Sequence, residues 1–305
     1  MGTTVLAGRT LFGVNTFENP TTDHFAGILG VVHTQPPFRR RRLGRKLARM
    51  RTSANMTLDI AARNLFKTRS ALHRIEKGET LVDVHLVKSM MDLYDRYDPD
   101  LVGETVRARE PGWWIALGVE DLGYIDVEAE ASEIREVCVL VVPGLLQTSG
   151  YTRALFEAHR FRSKRQLEAD IRARRIRQSR LTDPENLVRL DAIIDETALR
   201  RAVGGAEAMR DQIAHLRRMA DLPNVTIRVL LAARGAHSSM NGGFTLLSFP
   251  DVADPAVLYV EHPFGSLHME KEDETIEAKV AFGNLANQAL SPEESITLLE
   301  RILAE

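Results

Sequence analysis

The stretch from residue 68 to residue 76 groups side chains that could form hydrogen bonds to another molecule. Arg69, Ser70, His73 and Arg74 lie within six consecutive positions. An arginine guanidinium can donate two parallel hydrogen bonds to the O6 and N7 atoms of a guanine, so Arg69 and Arg74 are the leading candidates for base readout. Ser70 and His73 are secondary candidates. The residues predict a surface that reads the edges of base pairs.

The same stretch has the pattern of a short helix. Thr68 stands where an N-cap residue would begin it, and Gly78 stands where it would end. Leu72 and Ile75, three positions apart, would hold one side against a core and leave the polar side chains facing outward. The free N–H groups at the start of a helix suit a phosphate oxygen, which Lys67 and the Thr68 hydroxyl would help to bind.

More helices are predicted on both sides of this one. Apolar residues at 43, 47 and 50 recur at spacings of four and three, which predicts a first helix from about residue 41. Thr57 is the expected N-cap of a short second helix. Two short helices joined by a tight turn match the helix-turn-helix plan. Two further helices, at 82–97 and 101–109, would complete a domain of five helices.

The charge of the chain is divided unevenly. Residues 39–78 contain thirteen Lys and Arg against two acidic residues, a net charge of +11, whereas residues 79–305 carry −12. A compact basic block attached to an acidic body is typical of a nucleic-acid-binding module that carries a second domain. The arginines expected to attract phosphates without sequence preference are Arg39, Arg40, Arg41, Arg42 and Arg45.

One arginine of the basic block has a different predicted role. Arg51 falls at the end of the first predicted helix, and Glu76 is the only acidic residue of the third. An ion pair between them would fix the angle between the two helices. We favour this structural role for Arg51 over a phosphate contact.

The length of 305 residues exceeds that of a typical single domain. We expect a poorly ordered leader at 1–38, with a functional tail as the alternative, a helix-turn-helix DNA-binding domain at 39–111 and an α+β domain at 112–305. The predicted strands favour a mainly antiparallel sheet. They lie at 188–195, 225–231, 243–248 and 257–260, and the helices of this part at 128–136, 150–159, 164–180, 206–220, 274–289 and 293–303.

The composition places the protein in a reducing compartment. Cys138 is the only cysteine and cannot form an internal disulfide. The longest apolar stretch, at 137–146, contains Pro143 and Gly144 and is much shorter than the ~20 residues that span a bilayer. We therefore expect a cytoplasmic protein with no membrane segment.

A few residues of the C-terminal part could suggest catalysis or metal binding. Residues 237–239 form a His-Ser-Ser loop flanked by glycines, and His262, His268 and Glu270 could be considered as metal ligands. The sequence has neither the G-x-S-x-G nor the H-E-x-x-H pattern, so we predict no enzyme, no metal site and no cofactor. The basic helix at 164–180 could be a solvated face, a second DNA contact or a dock for an acidic partner, and we favour the first.

Longer segments resemble known families. "LGRKLARMRTSANMTLDIAARNLFKTRSALHRIEKGET" resembles the Xre (Cro/CI-type) helix-turn-helix. "VPGLLQTSGYTRAL", "LPNVTIRVLLAARGAH" and "GGFTLLSFPD" look like a C-terminal domain of unknown function in a large family of actinobacterial regulators, often described as antitoxin-like. The resemblance implies binding to double-stranded DNA, with base contacts at Arg69, Ser70 and Arg74 and helix packing by Arg51 and Glu76. It also implies a small partner protein encoded nearby.

Three positions depart from the resembled motif. Phe66 occupies the turn position that is usually glycine, and a bulky residue in the left-handed conformation is strained. Leu58 stands where many relatives have a phosphate-binding glutamine. Ala71 stands where a serine or lysine is often found. These departures concern the individual DNA contacts rather than the motif.

The leading hypothesis is a sequence-specific DNA-binding transcriptional regulator whose C-terminal domain mediates dimerisation and the response to a partner or ligand. A homodimer is expected because one short helix contacts few base pairs, and paired half-sites extend the recognised sequence. The alternative is an antitoxin-like interaction protein that binds a small partner protein and uses DNA binding for autoregulation.

Overall fold

The structure, a computed structural model, describes residues 36–119, 123–158, 163–262 and 265–305. Most of the predicted leader lies outside these ranges. Within them, two groups of elements are arranged around separate hydrophobic cores. The first group is entirely helical, and the second combines helices with one sheet. This confirms the predicted fold class.

Five helices form the first domain, as predicted. Leu47, Leu72 and Val87, from three of these helices, are fully buried in its core. Side-chain caps fix three helix starts, because Thr57, Thr68 and Asp83 accept hydrogen bonds from backbone N–H groups. The helices are α1 (Phe38–Ser53), α2 (Leu58–Asn64), α3 (Arg69–Glu76), α4 (Val84–Tyr94) and α5 (Leu101–Arg107).

The second domain contains the remaining helices and all the strands that the structure describes. The helices are α6 (Trp113–Ala116), α7 (Tyr124–Glu128), α8 (Ser149–Glu157), α9 (Lys164–Ser179), α10 (Glu196–Arg200), α11 (Gly205–Met219), α12 (Glu272–Gln288) and α13 (Pro292–Ala304). The strands are β1 (Glu133–Cys138), β2 (Arg189–Asp195), β3 (Val225–Leu230), β4 (Phe244–Ser248), β5 (Val257–His262) and β6 (Gly265–Met269).

The six strands form one mixed sheet in the order β3-β2-β1-β4-β5-β6. The pairs β1–β2 and β2–β3 are parallel, whereas β1–β4, β4–β5 and β5–β6 are antiparallel. Three of the five strand pairs are antiparallel, as the predicted mainly antiparallel sheet requires, but the two parallel pairs were not predicted. Their crossover connections contain α8 and α9 between β1 and β2, and α10 and α11 between β2 and β3.

The helix predicted at 128–136 is wrong for most of its length. Glu128 ends α7, and β1 begins at Glu133 in the middle of the sheet. Charged residues gave this segment a helical pattern in the sequence. In the structure, β1 pairs with two strands that lie far away along the chain, and Ile134 and Val137 are buried in different clusters. Strand β6 was also missed.

The sheet has helices on both faces. On β2, Leu190 and Ile194 join the large core, which also contains residues of α11 and α13. Ile193 lies in a second cluster with Phe282 and Leu285 of α12. This alternation follows the period of two in a strand and produces a helix–sheet–helix arrangement.

Helix α1 belongs to both domains. Leu43 and Leu47 are buried in the core of the helical domain, whereas Phe38 is fully buried in the core of the second domain. The Phe38 ring centroid lies 4.6 Å from that of Phe249, and the Phe38 N–H donates a hydrogen bond to Asp126. Phe38 is therefore part of the folded protein and not of the leader predicted to end there.

Candidate nucleic-acid interface

The outward face of α3 carries the four predicted base-reading residues. Arg69, Ser70, His73 and Arg74 are all exposed, while Leu72, Ile75 and Glu76 of the same helix are buried. The segregation follows from the helical spacing of the apolar residues. Arg69, Ser70, His73 and Arg74 are therefore accessible to a molecule outside the protein.

The two arginines of this face have only loose acidic partners. Arg69 Nε lies 3.7 Å from an Asp59 carboxylate oxygen, and Arg74 Nε lies 3.6 Å from an oxygen of Glu79. More than half of each of these side chains is exposed. Exposed ion pairs of this kind contribute about 0 to 1 kcal/mol, so a stronger acceptor can replace the carboxylates at little cost.

The start of α3 has the structure predicted for it. The Thr68 hydroxyl accepts a hydrogen bond of 3.1 Å from the Ala71 N–H. Thr68 and Lys67 are exposed beside the first turn of α3, where the first N–H groups of a helix have no carbonyl partner within the helix. Their proposed contact with phosphate stays a prediction.

The turn between α2 and α3 brings Phe66 into the left-handed conformation, with φ of 53°. The Lys67 N–H donates to the Ala62 carbonyl at 2.8 Å, and the Phe66 N–H donates to the Arg63 carbonyl at 3.1 Å. This pair of hydrogen bonds is the Schellman helix ending, which usually has glycine at the position of Phe66. Phe66 thus has the left-handed conformation expected from its place at the turn position that is usually glycine.

Arg51 and Glu76 form the predicted pair between α1 and α3. Arg51 Nε and Nη2 donate to the two oxygens of Glu76 at 2.6 and 2.9 Å, and Nη1 donates to the Met56 carbonyl at 2.8 Å. The hydrogen bond to Glu76 raises the pKa of Arg51. Burial, together with Glu76, raises the pKa of the neighbouring Tyr94 to about 12.

The backbones of α1 and α3 also touch directly at Gly44. A Cβ atom at this position would lie 2.5 Å from the Glu76 carbonyl oxygen and 2.7 Å from that of Ile75. Real side chains do not approach backbone atoms so closely. Gly44 is therefore the residue that lets α1 lie against the end of α3.

Replacing Gly44 with alanine is expected to destabilise the helical domain by about 1 to 3 kcal/mol, because the backbones must separate to admit the methyl group. The measurement is the free energy of unfolding by chemical denaturation. Gly283→Ala is the matched control, since Gly283 lies inside α12 with open space around it. It should stabilise the protein by about 0.5 to 1 kcal/mol. Equal effects of the two substitutions would contradict the close packing at Gly44.

The arginine-rich side of α1 faces acidic residues of the second domain. Arg39 Nε lies 2.5 Å from Glu130, and Arg42 Nε lies 2.5 Å from Asp254. Arg41 and Arg45 both bind the Glu270 carboxylate. Burial lowers the pKa of Arg45, although Glu270 opposes this shift.

These ion pairs occupy arginines that were predicted to bind phosphate. Arg39, Arg41, Arg42 and Arg45 have carboxylate partners in this conformation, so a phosphate would compete with those carboxylates for the guanidinium groups. Arg40 differs, because its Nε donates to the Ala108 carbonyl at 3.3 Å and it has no ion pair within the described ranges. The phosphate role of all five arginines stays a prediction.

Asp254 is the most buried acid of this interface, with a side chain 1% exposed. We expect Asp254→Asn to lower the free energy of unfolding by about 1 to 2 kcal/mol, because charge-assisted hydrogen bonds to Arg42 and Arg49 are replaced by weaker ones. Asp251→Asn is the control. Asp251 also binds Arg49, at 2.9 Å, but is a third exposed, so its loss should cost under about 1 kcal/mol. Unfolding followed by calorimetry compares the two variants.

Helix α9 is only partly the solvated face that we favoured. Arg177 forms two hydrogen bonds with the buried carboxylate of Glu128, and its guanidinium lies 5.0 Å from the centroid of the Tyr124 ring. Arg180 donates to the carbonyls of Glu128 and Ala131. These arginines hold α9 against the segment that contains α7, a role that the sequence pattern did not reveal.

The residues considered for catalysis have other partners. His237 Nε2 lies 3.4 Å from an Asp195 carboxylate oxygen, and His237 Nδ1 accepts a hydrogen bond of 3.3 Å from the backbone N–H of Ser239. Glu270 binds two arginines, and His268 packs against the ring of Tyr259. Among the described residues, no group of three or more His, Cys, Asp or Glu is arranged to hold a metal ion.

These features define a protein with a helix-turn-helix domain and a second domain built on a mixed sheet. Residues 42–104 match the family described as a helix-turn-helix domain. Residues 123–301, more than half of the chain, match the domain of unknown function DUF5753, and the chain belongs to that family. No curated protein and no solved structure matches the chain. The helix-turn-helix domain indicates DNA as a partner. Within the described ranges, no helix has the length and apolar character needed to cross a membrane.

Proposed function

We propose that the protein is a sequence-specific DNA-binding transcriptional regulator that acts in the cytoplasm. The observation that carries this proposal is the outward face of α3, where Arg69, Ser70, His73 and Arg74 are exposed on a helix in the second position of a helix-turn-helix. Such a helix places its first residues against base edges in the major groove. The helix-turn-helix match supports DNA as the partner.

The contacts divide into base readout and positioning. Arg69 and Arg74 donate paired hydrogen bonds to guanine, and Ser70 and His73 make further base contacts. Lys67 and the start of α3 bind a phosphate and set the register on the duplex. This division predicts that the first group determines the sequence that is bound and the second group mainly the affinity.

We also propose that the second domain mediates dimerisation and the response to a partner protein or ligand. Ile276 and Val280 support the first part, because they lie one turn apart on α12 and are each at least half exposed. Apolar side chains grouped on one helix face are typical of interaction surfaces. If this face forms the dimer, Val280→Glu should convert the purified protein to a monomer in light scattering, whereas Lys279→Glu should not.

The regulator hypothesis is tested by mapping the DNA bound by the protein in its own cell. Chromatin immunoprecipitation of the wild-type protein should recover a common sequence motif near promoters. The same experiment with an Arg69→Ala, Arg74→Ala double variant should lose that motif while the protein remains folded. Recovery of the same sites by the double variant would contradict base readout by α3. Proteins that co-purify with the wild-type chain would identify the partner.

A further inference from the structure

Phe66 combines two features that folding alone does not explain. Its side chain is 96% exposed, although it is a large aromatic residue. Its backbone is in the left-handed region, with φ of 53°, which is unfavourable for a bulky residue. Neither feature stabilises the folded protein.

The neighbouring helices show what residues this conformation normally takes. Helices α1, α2 and α3 all end with the same pair of hydrogen bonds, and the residue in the left-handed conformation is Asn55, Phe66 and Gly78 respectively. Asparagine and glycine are the residues best suited to it. Within the described ranges, the other non-glycine residue with positive φ is Asp95, which is also well tolerated. Phe66 is the exception.

The position of Phe66 points to the DNA-binding surface. It lies in the turn of the helix-turn-helix, three residues before Arg69 at the start of the recognition helix. Three basic residues close to it in the sequence, Arg63, Lys67 and Arg69, are also exposed. Strained or otherwise unfavourable residues that persist at one site are often retained for function.

We propose that the ring of Phe66 is an apolar DNA contact that packs against the C5-methyl group of a thymine, or the deoxyribose carbons, at the edge of the bound half-site. This inference rests on the proposed DNA-binding function. It adds to the DNA contacts a residue that can neither donate hydrogen bonds to bases nor attract phosphates by charge. An apolar side chain against a thymine methyl is an established form of readout. The surrounding positive charge favours nucleic acid over a protein surface.

The decisive variant is Phe66→Gly, because it removes the ring and relieves the backbone at once. Its melting temperature should rise by roughly 2 to 4 °C, since glycine accepts the left-handed conformation. Its affinity for the selected DNA site, measured by fluorescence anisotropy, should nevertheless fall about 10-fold or more, as expected when a largely buried aromatic contact is lost. A more stable protein that binds more weakly separates function from folding.

The salt dependence distinguishes this contact from an ionic one. Phe66→Gly should leave the slope of log affinity against log salt concentration unchanged, because no phosphate contact is lost. Asn55→Gly is the matched control, since it changes the equivalent residue of α1 and should leave DNA affinity unchanged. Phe66→Leu should retain part of the affinity. Unchanged or tighter binding by Phe66→Gly would overturn the proposal.

Changes in the DNA distinguish a contact with a thymine methyl group from a contact with deoxyribose carbons. If the ring packs on a methyl group, replacing one thymine of the half-site with uracil should weaken wild-type binding and leave the Phe66→Gly variant unaffected. If it packs on deoxyribose, no such replacement should discriminate the two proteins, although the Phe66→Gly loss persists. Loss of binding in Arg69→Ala without any loss in Phe66→Gly would refute the Phe66 contact and retain the regulator. No sequence-specific binding by the wild-type protein would refute the regulator itself.

Discussion

Arg69→Ala is expected to weaken binding to the specific DNA site by about 1 to 3 kcal/mol, or roughly 5- to 150-fold, and to relax the base preference at one position. The reason is that Arg69 lies exposed at the first position of α3, and its acidic partner among the described residues, Asp59, is held loosely at 3.7 Å. Binding to unrelated DNA should change much less. Anisotropy titrations on the selected site and on single-base variants of it measure both effects.

Two other arginines serve as controls for this prediction. Arg40→Ala should weaken binding to all DNA similarly, because its proposed contact is with phosphate. Arg172→Ala should have no effect, since it removes an exposed positive charge from α9 in the second domain. If Arg69→Ala left the footprint unchanged on every bound promoter, the proposed readout would be wrong.

Glu76→Ala is expected to lower the free energy of unfolding by about 3 to 5 kcal/mol. Its carboxylate is 7% exposed and receives two hydrogen bonds from Arg51, whose side chain is 13% exposed. Removing one member of a buried pair leaves the other charge without compensation. Thermal or denaturant unfolding, followed by the helical signal of circular dichroism, gives the change.

Glu79→Ala is the matched control for Glu76. Glu79 pairs with Arg74 at 3.6 Å, but about half of its side chain is exposed, so its removal should cost under about 1 kcal/mol. Glu76→Gln keeps the size and one acceptor oxygen and should be intermediate. An unchanged melting temperature together with lost DNA binding would assign Glu76 to recognition instead of packing.

Local sequence signals were sufficient for the helical domain. Thr57 and Thr68 cap the helices they were expected to cap, and the spacing of Leu72 and Ile75 gives α3 its buried side. The Arg51–Glu76 pair could be predicted because Glu76 is the only acidic residue of α3 and Arg51 is the basic residue in the last turn of α1. Such signals act over a few residues and can be recognised without knowledge of the tertiary structure.

The errors over β1 and over the basic run share a physical cause, which is dependence on partners distant in sequence; β6, which pairs with its neighbour β5, is not explained in this way. Strand β1 is set by pairing with β2 and β4, whose residues lie more than fifty positions away. Arg42 was expected to be free for phosphate, yet its partner Asp254 is 212 positions further along the chain. A basic run shows that positive charge is present, but its neighbours in the fold decide what that charge binds.

The sharing of α1 between two cores has a mechanical consequence. Phe38 fixes one end of this helix inside the second domain, while Gly44 holds its middle in direct backbone contact with the last residues of α3. The helix is continuous over 16 residues, about 24 Å, and so connects the two contacts directly. A displacement of the second domain that carries Phe38 with it would therefore be transmitted through α1 to α3, and a truncation after α5 would remove the core in which Phe38 is buried.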